Sequence, residues 1–503
     1  MAQNKESATV LDKGVYIIHT EEKLKTSDFS PSFSTDKSVI VQNNEKKKKI
    51  KWKTIVTPTC VHYYTLTILG LISWGFLWSA WGDGWKYNGE WFRLGVIVVI
   101  AWASGQILNS VTTLPPLLAA LLTGILARHL DYLDMRMFPH VDGFLRKIYP
   151  VIILGKSSLA WDTNFMKRNW RQVASLGTLP WIAEVATLTV CTRFLLDLPW
   201  VWGVLLGSIY ASLSCAVVMP AVLRSGVSPD RTHNWPQLVC TAGGTDTALS
   251  VGVYGIVFSY IFSDVDDTYR YIKVGLTLFV GVALGVAWGS LAGLVPHSHD
   301  YYVTELRVLF VLLGGMFANF FTLYLGWGGT AGVAVLACNA TAATHWARDG
   351  WKLNNNPAST VYRVLWSALE PALFAFTGTY FVISNAMSQI LLIGLGILLI
   401  CLTIRLTVAT VVCWGMTFRE KVFICCTWTP KSIVEAVLCP LAINTLILRG
   451  DHSTKDMEYA EQLVKLIVPA ILITTPIGSV LTNYLAPILL KDVQKKHRNE
   501  SEA

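Results

Sequence analysis

The most constraining feature of the sequence is a series of long apolar runs that begins near Thr59 and recurs, with short breaks, until about Leu490. A helix that crosses a bilayer needs about 20 predominantly apolar residues, and many of the runs reach that length. Only 15% of the residues are charged, whereas soluble proteins carry about 25%. The runs are continuous, which excludes the alternating pattern of membrane-barrel strands. The sequence therefore predicts an all-α, multi-pass membrane protein.

Fourteen apolar segments of the sequence are candidate membrane spans. They cover residues 63–82, 93–110, 114–128, 144–161, 172–195, 199–224, 237–262, 270–294, 304–326, 328–346, 361–385, 389–415, 420–447 and 463–489. An even number of spans places both ends of the chain on one side of the membrane. Lys and Arg cluster in the loops on that side, so we expect both termini to face the cytoplasm.

The polar ends of the sequence divide the chain into three parts. Residues 1–58 are rich in Ser, Thr, Lys and Asp and end in a basic run from Lys46 to Lys53, which predicts a disordered cytoplasmic tail. The basic run orients the first span, and it could also bind anionic membrane lipid. Residues 59–490 form the transmembrane domain, and residues 491–503 a short cytoplasmic C-terminal tail. We expect the protein in the plasma membrane or an endomembrane.

The sequence offers no motif of an enzyme, a metal protein or a nucleic-acid-binding protein. Its ten cysteines show neither a CxxC spacing nor a metal-ligand spacing with His, so we expect them to be small packing residues. No nucleotide-binding loop and no nucleophile and base arrangement is present. No basic face interleaved with aromatic residues occurs outside the N-terminal tail. We therefore expect no catalytic activity, no cofactor, no bound metal and no nucleic-acid partner.

Charged residues inside the apolar segments are the best functional pointers, because a charge in hydrocarbon costs several kcal/mol. Seven of them stand out: Lys156, Glu184, Asp246, Glu370, Arg405, Lys431 and Glu435. The near balance of acids and bases indicates ion pairs in the protein interior. Such groups mark ion or proton pathways, although purely structural salt bridges would give the same pattern.

Two of the apolar segments contain sequences that disfavour a continuous helix. Ser214 to Pro220 interrupts the sixth segment and Thr427 to Ser432 the thirteenth, and these segments cross in opposite directions. This pattern is typical of an inverted repeat with two crossing discontinuous helices, whose free backbone groups bind ions near the bilayer midplane. The segment after the first break contains Gly243-Gly244-Thr245-Asp246-Thr247. We therefore predict an ion site where the two breaks and this segment meet.

Several motifs accompany these features in a fixed order along the chain. They are Leu114-Pro115-Pro116-Leu117-Leu118 with Gly124, Pro180-Trp181-Ile182-Ala183-Glu184, Leu198-Pro199-Trp200-Val201-Trp202-Gly203, Ser214 through Pro220, Ile404-Arg405-Leu406, Trp428-Thr429-Pro430-Lys431-Ser432 and Thr475-Pro476-Ile477-Gly478-Ser479. With them, residues 64–490 resemble the cation/proton antiporter superfamily, most closely the NHA-type animal sodium/proton antiporters of solute carrier family 9, subfamily B. The resemblance implies a homodimer with a scaffold domain at the dimer interface. It also implies a mobile core domain that carries the ion by an elevator-like movement.

The resemblance implies roles for individual residues as well. Glu184 and Arg405 are similar to the family's membrane-buried acid and base, which we expect to form a core charge pair. Asp246 is similar to the first acid of the family's paired acid site, and Lys431 to the base that pairs with it. The expected ion- and proton-binding residues are Asp246, Thr247, Thr245, Ser214 and Lys431, with Lys156, Glu370 and Glu435 as secondary candidates.

Two positions depart from the pattern of the sodium-transporting relatives. Thr247 stands where they carry a second carboxylate that is the principal cation ligand, and Cys215 stands where a proline usually follows Ser214. If Asp246 is neutralised by Lys431, no spare negative charge remains for a sodium ion. The basic side chains would then suit a proton-linked anion such as chloride.

These observations leave three functions open. The resemblance implies a proton-coupled secondary transporter that exchanges a monovalent cation (Na⁺, Li⁺ or K⁺) for protons, with Asp246 as the proton carrier. Thr247 favours, as an alternative, a proton/anion symporter on the same fold. The third function is a channel or a transport-inactive binding protein, in which the buried charges are locked pairs. In each case the expected partners are small ions, membrane lipid and a second copy of the chain.

Overall fold

The computed structural model of the chain describes residues 58–224, 234–262, 267–351, 356–383, 387–451 and 455–502. Within these ranges the chain is α-helical, with connecting turns and two short 3-10 segments, and contains no strand. The predicted N-terminal tail, apart from Pro58, lies outside the described residues, and so does its basic run. The described ranges therefore agree with the predicted all-α class.

The helices in chain order are α1 (Pro58–Trp81), α2 (Glu90–Val111), α3 (Leu117–His129), α4 (Pro139–Ser158), α5 (Thr163–Arg168), α6 (Trp170–Leu195), α7 (Trp200–Tyr210), α8 (Cys215–Arg224), α9 (Trp235–Phe262), α10 (Asp267–Leu294), α11 (Val303–Tyr324), α12 (Thr330–Arg348), α13 (Pro357–Thr379), α14 (Met387–Val412), α15 (Phe418–Thr427), α16 (Ile433–Leu438), α17 (Leu441–Arg449) and α18 (Lys455–Glu502). The chain divides into two compact units. The unit Met1–Ile72 contains, among the described residues, only the beginning of α1, and the unit Ser73–Ala503 contains the remaining helices and the site described below.

Each apolar segment predicted from the sequence overlaps one helix or one interrupted group of helices. Segment 199–224 is divided into α7 and α8, and segment 420–447 into α15, α16 and α17. Nine stretches of the described residues are long and apolar enough to cross a membrane. Helix α3, with 13 residues, spans roughly 20 Å and is too short for a straight crossing of a bilayer core about 30 Å thick. Helix α18 continues to Glu502, through most of the segment predicted as a C-terminal tail.

Large apolar side chains cover the outer faces of the long helices. Phe279 on α10, Phe317 on α11 and Leu399 on α14 are each more than 60% exposed. Soluble proteins rarely expose apolar surface on this scale, whereas a helix in lipid meets hydrocarbon there. The exposed faces therefore fit a lipid environment.

Small residues allow close helix contacts in the second unit. Gly281, Gly285 and Gly289 recur at every fourth position of α10 and lie against the backbone of α12. A Cβ at Gly285 would collide with the carbonyl oxygen of Ala334. This small-residue spacing is the usual device for close helix packing in membranes, where the hydrophobic effect does not drive helices together. The α10 glycines therefore hold α12 close to α10, and α12 packs in turn on α4 and α9.

Candidate ion-binding site

The first helix interruption lies between α7 and α8. Helix α7 ends at Tyr210 and α8 begins at Cys215, so the break overlaps the predicted stretch only at Ser214, and Pro220 lies inside α8. The freed backbone groups point at charged side chains of other helices. The amide of Leu213 donates to Oδ1 of Asp246 at 2.8 Å, and the carbonyl of Ala211 accepts from Nη1 of Arg405. Tertiary partners therefore decide where this helix stops.

The second interruption lies between α15 and α16 and touches the first. Helix α15 ends at Thr427 and α16 begins at Ile433, with Pro430 in the gap. The amide of Ser214 donates to the carbonyl of Pro430 at 3.1 Å. The hydroxyl groups of Ser214 and Ser432 are hydrogen-bonded to each other at 2.5 Å. The two breaks thus meet directly, although they are more than 200 residues apart in the chain.

Glycines bring α9 against the first interruption. A Cβ at Gly243 would lie 2.5 Å from Sγ of Cys215 and 2.7 Å from Leu213, so a larger residue would push the helix away. Asp246 follows one turn later, is fully buried and receives the Leu213 amide. The glycine therefore permits the approach that places the carboxylate on the break.

Four fully buried charged side chains form a connected network at this meeting point. Arg405 from α14 donates through Nη1 to Oε2 of Glu184 on α6 at 2.5 Å, and through Nη2 to Oδ2 of Asp246 on α9 at 2.8 Å. Lys431, in the second break, donates to the same Oε2 of Glu184 at 2.8 Å. Its Nζ lies 4.8 Å from the centre of the Tyr210 ring, within the range of a cation–π contact.

The partners within this network differ from those expected. Glu184 and Arg405 are in contact, but as members of a larger cluster rather than as an isolated pair. In this structure the direct partners are not those of the expected pair between Asp246 and Lys431: Asp246 binds Arg405, and Lys431 binds Glu184. The physical reason is the forked guanidinium, which can serve two carboxylates on different helices at once.

The hydroxyl residues expected at the site are largely engaged with backbone. Thr245 and Thr247 each donate to the carbonyl four residues earlier in α9, both at 2.9 Å. Such back-bonding uses the hydroxyl hydrogen and leaves oxygen lone pairs free. Thr247 is buried beside Asp246 in sequence, so it contributes a neutral oxygen where a carboxylate would add a charge.

Glu435 belongs to the same neighbourhood. Its Oε2 accepts from the backbone amide of Ser432 at 2.9 Å and completes a capping box at the start of α16. The side chain is fully buried, and its Oε1 has no hydrogen-bond partner among the described residues. Its charge is close enough to act on Lys431 and Asp246.

Lys156 and Glu370, the other secondary candidates, lie elsewhere. Lys156 on α4 and Glu370 on α13 are half-buried and interact electrostatically with each other. This pair links two helices outside the broken ones.

The sequence pattern did not point to a second buried charge cluster, whose charged residues lie on α4 beside the end of α13. Nε of Arg146 donates to Oδ2 of Asp142 at 2.6 Å, and the Tyr380 hydroxyl donates to the same oxygen at 2.9 Å. Nη1 of Arg146 donates to the carbonyls of Ala436 at 2.8 Å and Val437 at 3.0 Å. The feature of the sequence that could have indicated this cluster is the spacing of Asp142 and Arg146, opposite charges four residues apart on one helix. Their position at the edge of the apolar segment 144–161 is equally typical of a solvated helix end.

In the part of the chain that the structure describes, no group of three or more His, Cys, Asp or Glu side chains is placed to hold a metal ion. The candidate site is instead built from carboxylates, bases, hydroxyl groups and backbone. Those groups suit protons and small ions.

The chain is similar to known exchangers in sequence and in fold. The family profile described as sodium/hydrogen exchanger, transmembrane, matches residues 95–487. The chain is 29% identical over 446 residues to the human protein named sodium/hydrogen exchanger 9B2, covering 86% of this chain and 81% of that protein. It is 27% identical over 472 residues to human sodium/hydrogen exchanger 9B1, covering 90% and 89%. The structure of the sodium proton antiporter MjNhaP1 from Methanocaldococcus jannaschii matches with a TM-score of 0.61 at 18% identity, covering 79% of this chain and 97% of that one. At that identity the structural match shows the fold alone.

Proposed function

Because the chain belongs to the sodium/hydrogen exchanger family, we propose that it exchanges a monovalent cation, Na⁺, Li⁺ or K⁺, for protons, with Asp246 as the proton carrier. By family it is a cation/proton antiporter and an integral, multi-pass membrane protein rather than an enzyme. The identity of the cation and the roles of individual residues are the substance of the proposal.

The hydrogen bonds around Asp246 are the main support for this proposal. Both carboxylate oxygens of Asp246 accept hydrogen bonds, from the Leu213 amide and from Arg405. Protonation of Asp246 would weaken its bond to Arg405, but Arg405 would keep Glu184 as a partner. Asp246 can therefore change its charge without leaving a buried guanidinium unpaired, which would be strongly unfavourable.

The proposed transport cycle uses the two interruptions as crossing discontinuous helices. Helices α6–α9 and α14–α18 would form the two halves of an inverted repeat and together the mobile core, with the other helices of the second unit as the scaffold. The contact of Ser214 with Pro430 and Ser432 supports such a crossing near the bilayer midplane. The proposal includes fourteen spans, cytoplasmic termini, a homodimer in contact with membrane lipid, and an elevator-like movement of the core.

The anion alternative rests on Thr247, whose hydroxyl adds no negative charge, and on the two bases in the cluster. Both bases already bind carboxylates: Arg405 binds Glu184 and Asp246, and Lys431 binds Glu184. An anion would have to displace a carboxylate from one of them. Cation exchange needs no such displacement, and the geometry therefore favours it.

Reconstitution of the purified chain into liposomes tests the proposal. A proton gradient is imposed and the internal pH is followed while Na⁺, Li⁺, K⁺ or choline is added as the chloride or gluconate salt. Cation-dependent proton flux that is independent of the anion is the expected result. Flux that follows chloride instead would establish the symporter, and a channel or inactive protein would show no coupled proton movement.

A further inference from the structure

Glu435 has one carboxylate oxygen that its capping box does not use. One carboxylate oxygen, Oε2, is bound by the Ser432 amide, whereas the other, Oε1, is buried without a hydrogen-bond partner among the residues that the structure describes. A buried carboxylate oxygen that lacks a donor is costly, and a proton, a water or a cation would satisfy it. The question is what that ligand is.

A second capping box in the same chain provides the comparison. At the start of α15, Glu420 caps Thr417 in the same way, and its Oε1 is likewise buried without a partner in the described ranges. Glu420 therefore matches Glu435 in local geometry. The two differ in their surroundings, because Glu435 stands at the meeting of the two breaks and Glu420 does not.

Charged and polar groups face Glu435 from several elements. Lys431 and Cys439 flank it in the chain, Asp246 approaches from α9, and the Tyr210 ring lies on α7. Among the charged members of the site, Glu184 and Asp246 match Arg405 and Lys431 in number. Glu435 is thus a third carboxylate against two bases, and when it is deprotonated its charge has no base left to balance it.

Neutral oxygens adjoin this charge. Ser214 and Ser432 are hydrogen-bonded through their hydroxyl groups, and the Ser432 oxygen also accepts from the Glu435 amide in the capping box. With Ser432 as the donor to Ser214, one lone pair remains on each oxygen. Carboxylate and hydroxyl oxygens are the hard ligands that small alkali cations prefer. Glu420 differs here, because the hydroxyl of its cap residue, Thr417, donates to Glu420 itself, whereas the Ser432 hydroxyl is bonded to Ser214 in the other break.

We propose that Glu435 is the second cation-binding carboxylate of this chain, holding Na⁺ or Li⁺ through Oε1 together with the hydroxyl oxygens of Ser214 and Ser432. It thereby supplies, from the second break, the negative charge that Thr247 lacks on α9. The cation then binds near Asp246, and release of a proton from the site accompanies its arrival. This inference deepens the proposed function and rests on it.

The test compares Glu435→Gln with the matched control Glu420→Gln in the full-length protein. Glutamine keeps an acceptor oxygen for the cap and removes the charge. In liposomes, Glu435→Gln should raise the KM for Na⁺ and Li⁺ by about tenfold or more, whereas Glu420→Gln should leave it unchanged. In detergent, LiCl should raise the Tm of the wild type and of Glu420→Gln relative to choline chloride, but not that of Glu435→Gln.

A double variant keeps the proposal falsifiable if Glu435→Gln folds poorly. Glu435→Gln with Thr247→Asp returns one carboxylate to the site from the α9 side, and it should recover cation-dependent stabilisation and a lower KM. Wild-type KM in Glu435→Gln, or an equal loss in Glu420→Gln, would overturn the inference while leaving the exchanger intact. A wild type with neither cation-coupled proton flux nor cation-dependent stabilisation would overturn the proposed function as well.

Discussion

Arg405 is the side chain that joins the buried cluster. Its two terminal nitrogens reach carboxylates on two helices and a freed backbone carbonyl, while Lys431 adds a second contact to Glu184. Each charged side chain of the cluster therefore contacts more than one other group. Substitutions in such a network are not additive, because every change alters several contacts at once.

Exchange of the charges of Glu184 and Arg405 should not restore the protein. In the double variant Glu184→Arg with Arg405→Glu, the new arginine would face Lys431 and the new glutamate would face Asp246, each a like charge in a buried place. We expect both single variants and the double variant to lose most folded protein, measured by size-exclusion chromatography in detergent. Substantial recovery in the double variant would show that the pair acts alone.

Asp246→Asn should abolish cation-coupled proton flux. Asparagine can keep the bond from the Leu213 amide but cannot carry a proton as a carboxylate does. The measurement is proton flux in liposomes at matched protein density. Full coupling in this variant would assign the proton to another group, with Glu435 and Glu370 next to be tested.

Thr247→Asp in the wild-type background should strengthen Na⁺- or Li⁺-dependent proton exchange and weaken any dependence on chloride. The added carboxylate would attract a cation and repel an anion inside a region of low dielectric. Proton flux across Na⁺, Li⁺, K⁺ and chloride gradients distinguishes the two effects. A variant whose chloride dependence grew would contradict the assignment of a cation to this site.

Helix α16 has six residues and is held at both ends by side chains. Ser432 and Glu435 cap its beginning. Its last carbonyls accept hydrogen bonds from Arg146 on α4, from Thr377 on α13 and, at Leu438, from the Tyr254 hydroxyl at 3.2 Å. An isolated helix of this length does not form in water, so these contacts set its position and with it the position of Glu435.

Arg146→Ala should destabilise the protein by about 3–5 kcal/mol, because it leaves Asp142 as an unpaired buried charge and uncaps α16. The control is Arg128→Ala, whose own side chain and partner Asp134 are 24% and 19% exposed; it should cost clearly less, because water can still reach both groups. Thermal unfolding in detergent measures both. Equal Tm losses would show that Arg146 has no special role in holding α16.

For the molecule as a whole, the fourteen-span arrangement predicts that both ends of the chain face the cytoplasm. Basic residues in the loops assigned to that side and the even number of spans are the reasons. Epitope tags at each terminus should be detected only after cells are permeabilised. A tag that antibodies reach on intact cells would require a different number of spans.

The sequence by itself determined the helical class of the chain, the approximate limits of its apolar helices and the residues worth examining, because length, hydropathy and the cost of intramembrane charge are local properties. It also indicated the second interruption, where Pro430 cannot donate a helical hydrogen bond. Only the tertiary structure decided that Arg405 binds Asp246 and that Lys431 binds Glu184. It also decided that the first interruption begins after Tyr210, at the end of α7, rather than near Pro220. These features depend on which side chains distant helices bring within hydrogen-bonding distance, as with Arg146 and the end of α16. Such distances are set by the packing of the whole fold, which no local stretch of sequence encodes.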